Sequence, residues 1–201
     1  LISIGCASAS PLHEAAKAGD TARLEQLLAA ERSSADLTDS GGRTALHVAA
    51  REGQRGAALR LIESGARIDV RDSDGRTPLF LATKERHADV VEALLEAGAD
   101  PNIANRDRRT PLIVAVDNEH VRIIRILLAA GANPSARDRD RMTSLMRATD
   151  RRNVEIVDLL LEAPGTKPDT PDRDGRTPLY RAVDQRDQEI VEMLLERGAD
   201  V

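Results

Sequence analysis

Four histidines, His13, His47, His87 and His120, are the side chains of this 201-residue sequence whose ordinary titration range suits acid–base or metal chemistry near neutral pH. Their spacings of 34, 40 and 33 residues match no metal-ligand pattern. No GxSxG elbow, no HExxH pair and no glycine-rich phosphate loop ending in Lys and Ser or Thr occurs. Asp72-Ser73-Asp74-Gly75 and Asp172-Arg173-Asp174-Gly175 open like a calcium loop, but such a loop needs a bidentate Glu at its twelfth position, where Thr83 and Val183 stand. A single cysteine, Cys6, excludes an internal disulfide and a cysteine-based cluster, and makes a reducing compartment the default. The expectation is a chain with no catalytic residue, no metal and no cofactor.

The arginines are the second group that could do chemistry. Arg106, Arg108, Arg109, Arg137, Arg139, Arg141, Arg147, Arg151 and Arg152 crowd one stretch. The net charge of −5 is split into −4 over residues 1–104, +5 over 105–152 and −6 over 153–201. Binding of nucleic acid would want that basic stretch interleaved with aromatic stacking platforms. Instead Asp107, Asp138, Asp140 and Asp150 interleave with the arginines, and Phe80 and Tyr180 are the only aromatic residues. The reading is a row of turn salt bridges that would steer an acidic protein patch, not a nucleic acid.

The elements that position these residues follow from composition and period. With 41% hydrophobic, 31% charged and 1% aromatic residues, a core must be built from Leu, Ile, Val and Ala in thin helical layers. The longest apolar run, residues 126–130, is far too short to span a membrane. A small-polar, Pro-or-small, Leu step recurs at Ser10, Thr44, Thr77, Thr110, Thr143 and Thr177, at spacings of 34, 33, 33, 33 and 34. A hydroxyl followed by Pro is a helix N-cap and first-turn signal, so each step predicts a helix start. Small pairs such as Ala15 and Ala16, or Ala49 and Ala50, let neighbouring helices approach. A second helix follows with apolar residues at helical spacing, as in Val90, Val91, Leu94 and Leu95, and ends at Gly65, Gly98, Gly131 or Gly198. Polar turns with Asp followed three residues later by Gly link the units, predicting short hairpin fingers.

This pattern resembles the ankyrin repeat, whose period and Thr-Pro-Leu-His-x-Ala signature match six in-phase copies over residues 10–201. The resemblance implies an all-α repeat solenoid of helix-turn-helix units with short β-hairpin fingers. The sequence departs from it in places. Arg108 and Arg141 replace the finger Gly, and Arg86, Glu119, Arg152 and Arg186 replace the inter-helix Gly, which predicts strained left-handed backbone there. Pro164 replaces the terminal Gly of the fifth unit and an extra residue joins the loop carrying Gly165, Pro168 and Pro171, the expected place for a kink and for the weakest interface. Arg23 and Ala22 stand where later units are expected to be apolar, as a polar leading cap requires. The sixth unit keeps its apolar set, so the array is expected to continue beyond Val201. Residues 1–9, with Ala7 and Ala9 in a small-residue pattern, are read as a lead-in or a signal remnant, giving a cytoplasmic or, alternatively, an exported or periplasmic protein.

By resemblance the chain is a non-enzymatic module that binds a partner protein through a concave face of fingers and first helices. Alternatives are a regulatory arm of a larger enzyme or signalling protein, and an exported, effector-like repeat protein. The candidate contacts on fingers are Ser73, Asp74, Arg76, Arg106, Asp107, Arg109, Arg139, Asp140, Met142, Arg173, Asp174 and Arg176. On first helices they are Arg51, Glu52, Lys84, Glu85, Asp117, Asn118, Asp150, Arg151, Asp184 and Gln185. Phe80, Ile113, Met146 and Tyr180 take the place of the signature His, and Phe80 and Tyr180 are either contact residues or packing under their own fingers. Asn102 stands where such arrays sometimes carry a hydroxylated Asn. A monomer with no nucleic acid, membrane or small-molecule partner is expected.

Overall fold

A computed structural model of the chain describes residues 10–30 and 35–201, and among these it contains twelve α-helices and no strand. Residues 1–9, on which the lead-in or signal reading falls, lie outside the described residues. The chain forms two compact units, Leu1–Arg106 and Asp107–Val201. The first holds α1 (Pro11–Ala18), α2 (Thr21–Ala30), α3 (Ala45–Arg51), α4 (Arg55–Glu63), α5 (Pro78–Lys84) and α6 (Ala88–Glu96). The second holds α7 (Pro111–Asp117), α8 (Val121–Ala129), α9 (Ser144–Asp150), α10 (Val154–Glu162), α11 (Pro178–Asp184) and α12 (Gln188–Glu196). In the first unit α1, α3 and α5 pack as one layer and α2, α4 and α6 as another; in the second, α9 packs between α7 and α11 while α10 packs on α12.

The recurring hydroxyl starts each first helix by the mechanism its chemistry predicts. Thr44, Thr77, Thr110, Thr143 and Thr177 are extended N-caps whose side chains accept the amides of His47, Phe80, Ile113, Met146 and Tyr180. Ser10 is the exception: it makes no cap bond, and its Oγ lies 2.7 Å from His13 Nδ1. Behind the caps Leu46, Leu112, Ala49, Ala82, Ala115 and Ala148 are wholly buried, so the small residues bring the layers close.

Each second helix ends where left-handed backbone is needed. Gly65, Gly98, Gly131 and Gly198 have φ between +82° and +93°. In the fifth repeat α10 stops at Glu162, Ala163 turns extended, and Gly165 takes φ +86° one residue late, so the loop absorbs the insertion and α10 keeps the nine residues of α8 and α12. Ser135 braces that loop, donating to the Gly165 carbonyl at 2.8 Å and accepting the Lys167 amide at 3.0 Å. Arg86, Arg108, Glu119, Arg141, Arg152 and Arg186 all adopt positive φ, between +54° and +70°, as their replacement of Gly predicts.

Two expectations need correcting. Arg23 is exposed where Ala57 and Val90 are buried, as a polar leading helix requires, but Ala22 falls on the outward register of exposed Gly56 and Asp89 and replaces no apolar residue. The fingers form without strands. One backbone bond closes each base, Asp39 to Arg43, Asp72 to Arg76, Asp138 to Met142 and Asp172 to Arg176, and side-chain oxygens take the amides that a strand ladder would have used.

Candidate interaction surface

An aspartate organises four of the fingers. Its Oδ1 accepts the amides two and four residues on: Gly41 and Arg43 on Asp39 at 2.8 and 3.0 Å, Asp74 and Arg76 on Asp72 at 2.9 and 2.8 Å. Asp138 takes Asp140 and Met142 at 2.9 and 2.8 Å, and Asp172 takes Asp174 and Arg176 at 2.8 and 2.9 Å. The other oxygen receives a guanidinium, from Arg43 and Arg76 within the finger in the first unit, and from Arg147 and Arg181 of the following helix in the second. Burial alone would raise the Asp39 and Asp172 carboxyls, but these amides and arginines outweigh it and hold both below the ordinary value. Neighbouring tips join through their backbones, Ser73 to the Gly41 carbonyl and Arg106 to that of Asp74 at 2.9 Å, Arg139 to that of Asp107 at 3.1 Å and Arg173 to that of Asp140 at 3.3 Å. With the amides and the finger-base aspartates committed inward, the tips present side chains to solvent.

The signature histidines lock one repeat to the next finger. His13 Nε2 lies 2.8 Å from the Arg43 carbonyl, and His47 Nε2 lies 3.0 Å from that of Arg76. Both rings are buried, which assigns them to structure. His87 and His120 are half-buried N-caps of α6 and α8, and His87 Nε2 bonds the Arg51 carbonyl at 3.0 Å. Among the described residues no group of three or more His, Cys, Asp or Glu could hold a metal, and no helix is long and apolar enough to cross a membrane.

Most of the sequence-predicted contacts reach solvent. Ser73, Asp74, Arg106, Asp107, Arg139, Asp140, Arg173, Asp174 and Arg176 are exposed on fingers, and Lys84, Glu85, Asp150, Arg151, Tyr180 and Asp184 on first helices. Arg51, Glu52, Arg76, Arg109, Asn118, Met142 and Gln185 are partly covered. Arg76 is held by both Asp72 and Asp74, and Arg51 by Glu52. Phe80 is a correction: at 3% exposure it packs in the core and offers a partner no surface, while Tyr180 is 53% exposed with the Arg176 guanidinium 5.8 Å from its ring centre. Asp117 is a second correction. Its side chain is 12% exposed and is claimed by Arg109, Arg147 and Arg151, so it builds the scaffold.

Sequence reasoning passed over what Arg147 and Arg181 do. Arg147 bridges Asp138 of its own finger and Asp117 of the preceding repeat at 3.0 Å, and Arg181 bridges Asp172 and Asp150 at 2.6 Å. The available signal was register: both stand where the second, third and fourth repeats have buried Val48, Leu81 and Val114.

A family model described as ankyrin repeats (3 copies) matches in overlapping stretches over residues 12–105, 60–138, 97–172 and 130–201. Among solved structures, the crystal structure of an ankyrin repeat domain from Acinetobacter baumannii AYE is 35% identical with a TM-score of 0.87, covering 94% of this chain and 98% of that one. The ankyrin repeat domain of Bcl-3, a member of the IkappaB protein family, is 27% identical with a TM-score of 0.89, covering 96% of this chain and 88% of that one. No curated protein matches.

Proposed function

Because the chain belongs to the ankyrin-repeat family, whose members are in general protein–protein interaction modules, we propose that it binds a partner protein through its finger tips and the exposed ends of its first helices. The observation that carries this reading is the division of labour within the fingers. The finger-base aspartates, the tip amides and the first-helix arginines are spent on internal bonds, whereas Arg108 and Arg141 stand exposed at the tips, and Arg139 and Arg173 are exposed there too, paired with the equally exposed Asp107 and Asp140. Arg108 and Arg141 hold left-handed backbone at φ +60° and +62°, where Gly42 and Gly75 stand in the first unit. The strain borne by these two exposed cations supports a use for their side chains outside the fold. The positive middle stretch supports an acidic patch as the partner's chemistry, with association that weakens as salt rises.

The test is affinity capture by the parent chain and by a variant carrying Arg106→Glu, Arg108→Glu, Arg139→Glu and Arg141→Glu, with helix content checked by circular dichroism. Arg109 is left intact because it holds Asp117. A partner retained by the parent and lost by the folded variant supports the reading. Equal capture by both overturns the basic-finger assignment.

A further inference from the structure

Three departures from the repeat pattern meet at one place, the C-terminal halves of α8 and α10. Ala129 ends α8 where the second, third, fifth and sixth repeats place exposed Glu63, Glu96, Glu162 and Glu196. Arg125 is a cation where the third, fifth and sixth repeats carry Glu92, Asp158 and Glu192. Pro164 replaces the glycine found after α4, α6, α8 and α12, and Ala163 before it turns extended at ψ 131°, whereas Ala97 and Ala130 at the same place keep ψ at 0° and 8°. In addition, α10 packs more closely on α12 than on α8. The result is a groove of about 450 Å³ walled by Leu128, Ala129, Leu159, Ala163 and Pro164. Its two leucines are half-buried, and Ala129 and Pro164 are exposed.

The rim carries two charges that say what fits it. Arg125 and Glu162 both line the groove and both are exposed, each with a loose pair to an exposed partner, Arg125 to Glu155 at 3.5 Å and Glu162 to Arg197 at 3.6 Å. By helix register Arg125 lies level with Asp158, and Glu162 level with Ala129. The two charges are therefore offset along the groove by one helical turn, about 6 Å. We propose that this groove docks an amphipathic helix of a partner protein. A leucine- or phenylalanine-sized side chain sits between Leu128 and Leu159, an acidic residue faces Arg125, and a basic residue one turn away faces Glu162. A furrow between two helices is the shape that the side-chain ridge of a third helix fills. Apolar area supplies the affinity, and the charge pair fixes the direction, since a reversed helix would set like charges together. This surface is distinct from the finger tips, so the groove and the basic-finger reading stand or fall separately.

The test is selection of phage-displayed short helical peptides on the full chain, followed by fluorescence polarisation of the free peptides with the chain and its variants. Selected peptides are expected to carry an acid and a base one turn apart beside a bulky apolar residue. Their affinity is expected to fall about tenfold or more on Ala129→Glu, which restores the residue of four other repeats at an exposed position, with helix content checked by circular dichroism. Arg125→Glu is expected to weaken them similarly, and exchanging the peptide's acid for lysine to recover binding, which an unfolded variant would not allow. Arg108→Glu combined with Arg141→Glu is expected to leave binding unchanged. Selection of no such peptide, equal affinity for the Ala129→Glu chain, or loss on changing the finger arginines would each overturn the groove. Failure of the charge exchange would overturn the assigned direction.

Discussion

His47 couples the turn of one repeat to the finger of the next, and its ring is set up to stay neutral. Nδ1 accepts the Thr44 amide at 3.1 Å, which places the ring proton on Nε2, facing the Arg76 carbonyl. Burial pushes its pKa below the ordinary 6.5, outweighing the hydrogen bond and the nearby aspartates that favour the cation. As pH falls through 6.5 the unfolded chain takes up this proton before the folded one does, so the contribution is complete above 6.5 and is lost below it. His47→Phe, the residue found at Phe80, is expected to lower the denaturation midpoint at about pH 7.5 while flattening the decline towards about pH 5. An undiminished decline in the variant would remove His47 as its source. Two glycines give a paired prediction. Both Gly53 and Gly65 are left-handed, but a Cβ on Gly53 would lie 2.6 Å from His87 Nδ1, while one on Gly65 meets nothing within 4 Å. Gly65→Ala should cost the backbone penalty of about 1 kcal/mol, and Gly53→Ala more, because His87 must leave the Arg51 carbonyl. Equal losses in urea titrations would contradict this.

At the scale of the element, the hydroxyl caps decide where helices begin. Thr110→Ala removes the acceptor for the Ile113 amide and should cost about 1 kcal/mol, whereas Ser10→Ala should cost less because Ser10 makes no cap bond. Denaturant melts showing the reverse order would refute the assignment. These starts were legible because a cap is a local device: Thr, Pro and Leu within three residues carry all of it. The left-handed turns at Arg108, Glu119 and Arg152 were legible for the same reason, each standing in register with a Gly elsewhere. The absent finger strands were not. Asp72 was read as a turn former, and its capture of the amides of Asp74 and Arg76, which leaves a strand nothing to pair with, depends on a side-chain rotamer that spacing does not specify. Most candidate contacts are exposed, as their finger and helix-end positions suggest, but Phe80 takes the packing alternative and Asp117 is enclosed by arginines. One is decided by packing beneath a finger and the other by arginines from two neighbouring stretches of chain, and neither is a local property.

At the scale of the assembled repeats, stability passes from neighbour to neighbour, because each repeat buries its apolar face only against the next. In the second unit α9 has a repeat on either side, while α11 has its following face open to solvent. What retains α11 beyond apolar contact is Arg181, which reaches Asp150 of the preceding repeat and buried Asp172 of its own finger, and whose Nη2 also lies 3.1 Å from Met142 Sδ. Arg181→Leu restores the residue type that Leu81 has at this register, yet it strands Asp172 without its cation. The loss should therefore outweigh the apolar gain, and it should be local. Hydrogen exchange of α11, α12 and the loop from Pro164 to Pro171 is expected to quicken by about tenfold in the variant, with α7 and α9 little changed. Equal acceleration throughout the unit would mean that its three repeats open together, and slower exchange in α11 would mean that burying leucine outweighs a stranded carboxylate. The loop belongs with α11 because its insertion lies between α10 and the finger of Asp172, with Ser135 of the preceding repeat and Thr166 as its side-chain braces. A repeat with one open face and an inserted residue at its entry is where the second unit should open first.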